Sequence, residues 1–211
     1  MDLKREKERL INSLISEGFL KSPDVIRAFR KIPREKFVLE RYIEHSYDNI
    51  PLPILENQTI SQPLTIAAMT EALQPSNGQK ILEVGAGSGY QAALIAEIIG
   101  RSGRIITTDR IKELVIFARN NLKKTVYNNI TVVEWDGSKG YEKEAPYDRI
   151  IVTASAPEIP EPLVKQLKKG GKLVIPVKDE MFLIEKNKEI KKTLLGYYVF
   201  VPLIGKYGYR G

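Results

Sequence analysis

The stretch Lys80-Ile-Leu-Glu-Val-Gly-Ala-Gly-Ser-Gly-Tyr-Gln91 sets the architecture: an apolar run turns through three alternating glycines into a helical pattern. Glycine has no side chain to block a positive φ or a close ligand. Gly85, Gly87 and Gly89, with Ala86 between them, therefore let backbone N–H groups approach a bound molecule. A dinucleotide fingerprint would place its third glycine at position 90, which is Tyr90, and no Gly-Lys-Ser/Thr follows as a phosphate loop requires. Glu83 stands two positions before Gly85 at the end of the first predicted strand. A carboxylate there repels a pyrophosphate but suits a ligand bearing an ammonium or sulfonium charge. S-adenosyl-L-methionine carries both.

Two later runs extend this reading. Arg104-Ile-Ile-Thr-Thr-Asp109 ends in an acid 20 residues after Gly89, where a carboxylate can accept from ribose hydroxyls, and Arg110 follows it. Val132-Val-Glu-Trp-Asp136-Gly137 offers Asp136 to the adenine amino group, while Gly137 leaves room for the ring. An isolated acid is ordinarily a solvated loop carboxylate. Three acids at the ends of successive apolar runs reverse that judgement, because open α/β sheets bind ligands outside the carboxyl ends of their strands.

The 211 residues contain 43% hydrophobic and 28% charged side chains, the balance of a globular chain with a sizeable core. No apolar run approaches the ~18 residues of a membrane span, and the charged start is unlike a secretory signal. Zero cysteines excludes disulfides, thiolate metal sites and cysteine nucleophiles, and no metal is expected; a cytoplasmic location fits. The net charge of +7 (33 Lys+Arg against 26 Asp+Glu) is compatible with nucleic acid, but the basic residues are dispersed and interleaved with acids. Lys4, Arg5, Lys7 and Arg9 alternate with Glu6 and Glu8 as a solvated helix face does, so no nucleic-acid partner is expected.

Helical spacing of Leu3, Leu10, Ile11, Leu14 and Ile15 predicts a first helix ending near Gly18, and Ser22-Pro23 opens a second through about Lys31. Residues 34–42 read as a short helix, 47–63 as irregular and 64–73 as an amphipathic helix. Strands are expected near 80–84, 104–108, 130–134, 148–153 and 172–177, with helices near 90–99, 111–123 and 160–168. Asn77-Gly78 and Gly170-Gly171 read as turns entering strands, and 181–185 with 193–201 as a terminal antiparallel pair. The alternation implies a mostly parallel sheet with helices on both faces. One domain is expected, divided into a helical extension and substrate loop (1–76), a cofactor-binding core (77–178) and a hairpin with tail (179–211).

The segment Gln58-Thr59-Ile60-Ser61-Gln62-Pro63 closes a long irregular loop, a place where binding functions concentrate. Ser61 before Gln-Pro and a helix has two readings, as a helix cap or as a hydroxyl that orients a carboxylate. Across nearly its whole length the chain resembles the protein-L-isoaspartate (D-aspartate) O-methyltransferases. The resemblance rests on Pro33-Arg-Glu-Lys-Phe-Val38, 58–63, Met69-Thr-Glu71, the glycine loop, Asp136-Gly-Ser-Lys-Gly140, Val152-Thr-Ala-Ser-Ala-Pro157 and Phe200-Val-Pro-Leu203. The glycine loop is common to class I methyltransferases; 58–63 combined with 152–157 is specific.

The resemblance implies a seven-stranded, Rossmann-like class I methyltransferase sheet and methyl transfer from S-adenosyl-L-methionine to the free carboxylate of isoaspartyl, and D-aspartyl, residues in damaged proteins. S-adenosyl-L-homocysteine is the implied product, and repair the implied role. It places the active-site serine on Ser61. Donor contacts fall on Gln58, Thr59, Ile60, Glu83, Gly85, Ala86, Gly87, Gly89, Asp109, Arg110, Asp136 and Gly137, and substrate contacts on Ser61, Ala154, Ser155, Ala156 and Pro157. Asn57, Asp109 and Trp135 depart from the family's usual glycine, glutamate and glycine. Since a carboxylate of pKa near ~4 is already ionised at neutral pH, no general base is needed, and the single histidine, His45, is expected at the surface or in packing. An RNA or DNA methyltransferase is the nearest rival, yet the Asn/Asp-Pro-Pro-aromatic motif of base-amino methylation is replaced by Ala154-Ser-Ala-Pro157, and pyrimidine C5 methylation needs a cysteine the chain lacks. A donor-binding regulator without turnover is the other. A monomer is the default expectation, and the tail 206–211 is read as covering the pocket, mediating assembly or fraying.

Overall fold

The computed structural model describes residues 2–210. Seven strands form one sheet in the order β5 (Ile130–Glu134), β4 (Arg104–Asp109), β3 (Lys80–Val84), β6 (Tyr147–Val152), β7 (Leu167–Val177), β8 (Glu180–Lys186) and β9 (Ile190–Tyr197). β5 through β7 run parallel and the last two strands antiparallel. The chain enters at β3, winds out through β4 and β5, then returns to β6 on β3's other side. That reversal opens a crevice at the carboxyl ends of β3 and β6, where two loops leave in opposite directions.

β3 lies between apolar layers on both faces, so nearly every residue in it is buried. Leu82 and Val84 pack with Ile150, Val152 and Leu173 on one side. Ile81 packs on the other with Met69 and Leu73 of α3 (Pro63–Leu73) and with Ile95 and Ile99 of α4 (Tyr90–Ile99). Glu83 falls on the Ile81 face and is fully buried there. Helix α5 (Lys112–Leu122) joins β4 to β5 and covers the Tyr90, Leu94 layer.

The N-terminal extension continues this core. Helices α1 (Leu3–Ser16) and α2 (Pro23–Lys31) direct Leu10, Ile11, Leu14, Val25 and Phe29 into a cluster containing Phe37, Tyr90 and Leu94. Gly18, at φ 77, ends the first helix as its sequence predicts. Ser22 does not cap α2 with its side chain. Its hydroxyl instead bonds Glu71 of α3, whose other oxygen accepts the N–H groups of Lys21 and Ser22 at 2.8 Å each. Glu71 thus fastens the extension to the helix that follows the substrate loop.

Several elements differ from the sequence expectation. Residues 34–42 form two 3-10 segments, Arg34–Lys36 and Glu40–His45, rather than one helix. The irregular 47–63 segment contains a two-residue antiparallel pair, β1 (Leu52–Pro53) with β2 (Thr59–Ile60). Its tip holds Glu56 and Asn57 at φ 55 and 54, a conformation that asparagine tolerates well. The expected 160–168 helix is shorter, α6 (Glu161–Lys165), because β7 already begins at Leu167. Gly170-Gly171 is therefore inside a strand: the register against β6 slips there, from Tyr147↔Leu167 to Arg149↔Lys172. β9 starts three residues early and ends at Tyr197, freeing the chain after it to cross the sheet's carboxyl edge.

Glu71→Ala removes the acceptor of the exposed Lys21 N–H and the part-buried Ser22 N–H and should lower unfolding free energy by about 1 kcal/mol, read from urea melts of the full chain. Glu71→Gln, which retains an acceptor, should lose less; equal stability of Glu71→Ala and the parent chain would dismiss the clamp.

Candidate active site

The crevice widens into a cavity whose walls come from six chain segments. Its floor is the glycine loop, from which Gly85, Ala86 and Gly87 contribute lining atoms. Gly85 sits at φ 98, and a Cβ there would lie 2.3 Å from the Thr153 hydroxyl, so only glycine lets the β3 and β6 ends approach. Gly89 does not line the cavity; at φ 85 it caps α4 and turns the chain into that helix.

Glu83 faces the cavity with neither carboxylate oxygen hydrogen-bonded to a described residue. Burial pushes its carboxyl up to about 8, and Asp109's charge adds to the rise. Thr107 is its partner in the β3–β4 ladder. Two unpaired oxygens on a fully buried acid form an incomplete site, and a cation entering the cavity would complete it. The donor expected from the sequence, with its ammonium and sulfonium groups, has the chemistry this position lacks.

Asp109 lines the same cavity beside Arg110, and its carboxylate is also structural. It accepts Gly87 N–H at 3.0 Å and Ile111 N–H at 3.1 Å, holding the glycine loop against the end of β4. Burial raises its pKa while these N–H groups work against the rise. One lone pair on each oxygen remains for ribose hydroxyls.

The third acid is placed differently from expectation. Gly137 lines the cavity but Asp136 does not. The Asp136 carboxylate accepts from Ser138 N–H and hydroxyl (3.1 and 2.6 Å) and from Lys206 N–H at 2.9 Å. Burial favours its neutral form, but these bonds and Lys139 outweigh it and hold its pKa down. Its acceptor capacity thus anchors the C-terminal segment. That segment covers the pocket: residues 201–204 line the cavity, Ser155 N–H bonds Val201 carbonyl (2.8 Å), and Leu203 N–H returns to Ser155 carbonyl (2.7 Å). The tail's last residue, Gly211, lies outside the described residues.

The expected substrate loop divides at the cavity edge. Ala154 lines the cavity, whereas Ser155, Ala156 and Pro157 do not. Ser155 donates its hydroxyl to Lys178 carbonyl at 2.6 Å, and Ala156 is fully buried beside β7, so neither is free to touch a peptide.

Gln58, Thr59, Ile60 and Ser61 also line the cavity. The Ser61 hydroxyl makes no hydrogen bond among the described residues, and α3 has no side-chain cap, so the capping alternative is not realised. The Ser61 carbonyl accepts from Arg34 Nη2 at 2.9 Å. Thr153, Tyr90 and residues 201–204 are lining residues that sequence patterning did not single out as contacts. Trp135 joins them, its indole N–H held by Gly140 carbonyl at 2.8 Å. His45 lies outside, paired with Asp48 at 2.8 Å. No group of three or more His, Cys, Asp or Glu suited to a metal ion occurs among the described residues, and none of their helices is long and apolar enough to cross a membrane.

Comparison with known proteins gives one consistent result. The family model of the protein-L-isoaspartate(D-aspartate) O-methyltransferases matches residues 5–208. A protein-L-isoaspartate O-methyltransferase of Methanopyrus kandleri is 52% identical over 214 residues, covering 98% of this chain and 95% of its own. One of Methanothermobacter thermautotrophicus is 48% identical, covering 97% and 98%. Among solved structures, a protein-L-isoaspartate O-methyltransferase superposes with a TM-score of 0.86 at 29% identity, over 96% of this chain and 67% of the other. A Plasmodium falciparum beta-aspartate methyltransferase crystallised with S-adenosyl-L-homocysteine gives 0.83 at 28%, over 92% and 95%. A seven-stranded sheet reversing at β3, a cavity floored by an unpaired buried acid and a family match across almost every residue converge, and the chain belongs to the protein-L-isoaspartate(D-aspartate) O-methyltransferase family.

Proposed function

We propose that this protein transfers a methyl group from S-adenosyl-L-methionine to the free carboxylate of isoaspartyl residues in damaged proteins, the first step of their repair, with residues 1–76, 77–178 and 179–211 serving as one catalytic unit. One observation carries the site assignment: the Ser61 hydroxyl and the Glu83 carboxyl, neither hydrogen-bonded among the described residues, share a cavity. One wall calls for a cation, and the other offers a donor to an anion.

The bound donor supplies an electrophilic methyl carbon; a carboxylate oxygen bonds to it while the carbon–sulfur pair returns to sulfur, giving a neutral methyl ester and a neutral thioether. The protein's residues have no proton to move, because the acceptor is ionised at neutral pH. Their work is alignment and exclusion of water. Glu83 would face the donor's ammonium, Asp109 its ribose, and Gly137 would leave space for the adenine beside Trp135. Gly85, Ala86 and Gly87 would bring the backbone close, with Arg110 at the rim. Gln58, Thr59 and Ile60 would close over the donor, and Ser61 would orient the acceptor carboxylate with Ala154 behind it. Since opposite charges disappear on reaction, a poorly solvated cavity favours the transition state over the separated ions.

The direct assay offers radiolabelled donor to an isoaspartyl peptide, its normal aspartyl twin and tRNA. Labelling of the isoaspartyl peptide alone is expected. Labelling of tRNA alone would favour a nucleic-acid methyltransferase, and none at all a donor-binding module. Ser61→Ala should lower kcat on the order of tenfold, with the melting temperature kept and donor affinity within about twofold. Unchanged kcat would remove Ser61 from the reaction.

A further inference from the structure

Arg34 stands where few arginines do. It opens a 3-10 segment in the N-terminal extension, yet its side chain is 1% exposed, among the largest fully buried groups of the fold. Arginine is ordinarily buried only beside a carboxylate. Here no acid lies within ion-pair distance among the described residues; the adjacent Glu35 takes the Tyr47 hydroxyl instead. Nε and Nη1 have no partner among those residues either. The guanidinium is held by two contacts only, Nη2 on the Ser61 carbonyl at 2.9 Å and the Tyr90 ring, 5.3 Å from Cζ to centroid. Burial draws its pKa down to about 10, so it remains charged at neutral pH.

Both contacts lead to the cavity. Ser61 and Tyr90 are both lining residues, one ending the substrate loop and the other beginning α4 after the glycines. A positive charge that no protein anion neutralises, in a water-poor interior, keeps a strong field at short range. The nearest cavity surface it faces is Ser61.

We infer that Arg34 is a positioning residue for the anionic acceptor: it fixes the Ser61 backbone, and its unneutralised charge makes the pocket prefer a carboxylate over the neutral ester that methylation leaves. The inference rests on the carboxyl-methylation reading above. It adds a reason for the product to leave, since the ester no longer has the charge that Arg34 attracts. The N-terminal extension thereby contributes electrostatics to the site as well as packing.

The test compares wild type with Arg34→Lys and Arg34→Met in the full chain. Three readouts are the KM for an isoaspartyl peptide, the inhibition constant of the same peptide with that carboxylate converted to a carboxamide, and the Kd of S-adenosyl-L-homocysteine. Arg34→Met should raise KM about tenfold while the carboxamide constant and the Kd stay within about twofold. Arg34→Lys retains the charge without the planar fork, and its KM should fall between the two. An unchanged KM, or equal weakening of carboxylate and carboxamide, would overturn the inference and leave Arg34 a packing residue. Should Arg34→Met not fold, Arg34→Lys decides alone: a raised KM with an unchanged carboxamide constant supports the assignment, and any other pattern refutes it. Absence of methylation by wild type would instead refute the carboxyl-methylation reading.

Discussion

A carboxyl group without a partner, enclosed at the end of the central strand, is the constraint around which this molecule is organised. Glu83 could not remain ionised in that position without losing far more solvation than its neighbours return. Replacing it with an apolar residue would cost the fold nothing that the contacts reveal. Its presence makes sense when a cation completes the site. β3 holds it at the sheet's switch point, the glycine loop clears space above it, and Asp109 holds that loop by the Gly87 N–H.

Around this floor, the walls are built from chain ends rather than from the sheet. The C-terminal strap pairs with Ser155 and is anchored by Asp136, while the N-terminal extension delivers Arg34 beneath the Ser61 segment. On the proposed reading, Ser61 and Arg34 of the N-terminal extension would face the acceptor, and the loops at the carboxyl edge of the sheet would hold the donor beneath Gln58–Ile60. Charges of opposite sign brought together across such a cavity disappear as the methyl group moves, and a dry enclosure assists that step.

Much of this was legible in the sequence because it depends on local chemistry. The β3–loop–α4 unit follows from an apolar run, alternating glycines and helical spacing, and the structure gives Lys80–Val84 and Tyr90–Ile99 where that pattern places them. Asn57, standing where the family usually has glycine, takes up a positive φ that asparagine tolerates. Other features depend on partners far along the chain. Asp136 has the look of an adenine acceptor, but Lys206, 70 residues later, claims its oxygen. Ser155 and Ala156 resemble an exposed loop until the strap pairs with the first and the end of β7 with the second. Gly170-Gly171 suggests a turn, yet the register of β6 alongside makes it a slip within a strand. The unpaired burial of Arg34 was illegible for the same reason: charge in a sequence says nothing about where solvent ends.

Calorimetric titration of the purified chain with S-adenosyl-L-homocysteine, in two buffers of different ionisation enthalpy, tests the role of Glu83 most directly. With its carboxyl raised to about 8 in the free protein, Glu83 is mostly protonated at about pH 7, and an ammonium group beside it stabilises the ionised form. Binding should therefore release close to one proton, affinity should rise with pH and level off above about 8, and Glu83→Gln should abolish both effects. Binding with no proton release and no pH dependence between about 6 and 8 would contradict the account.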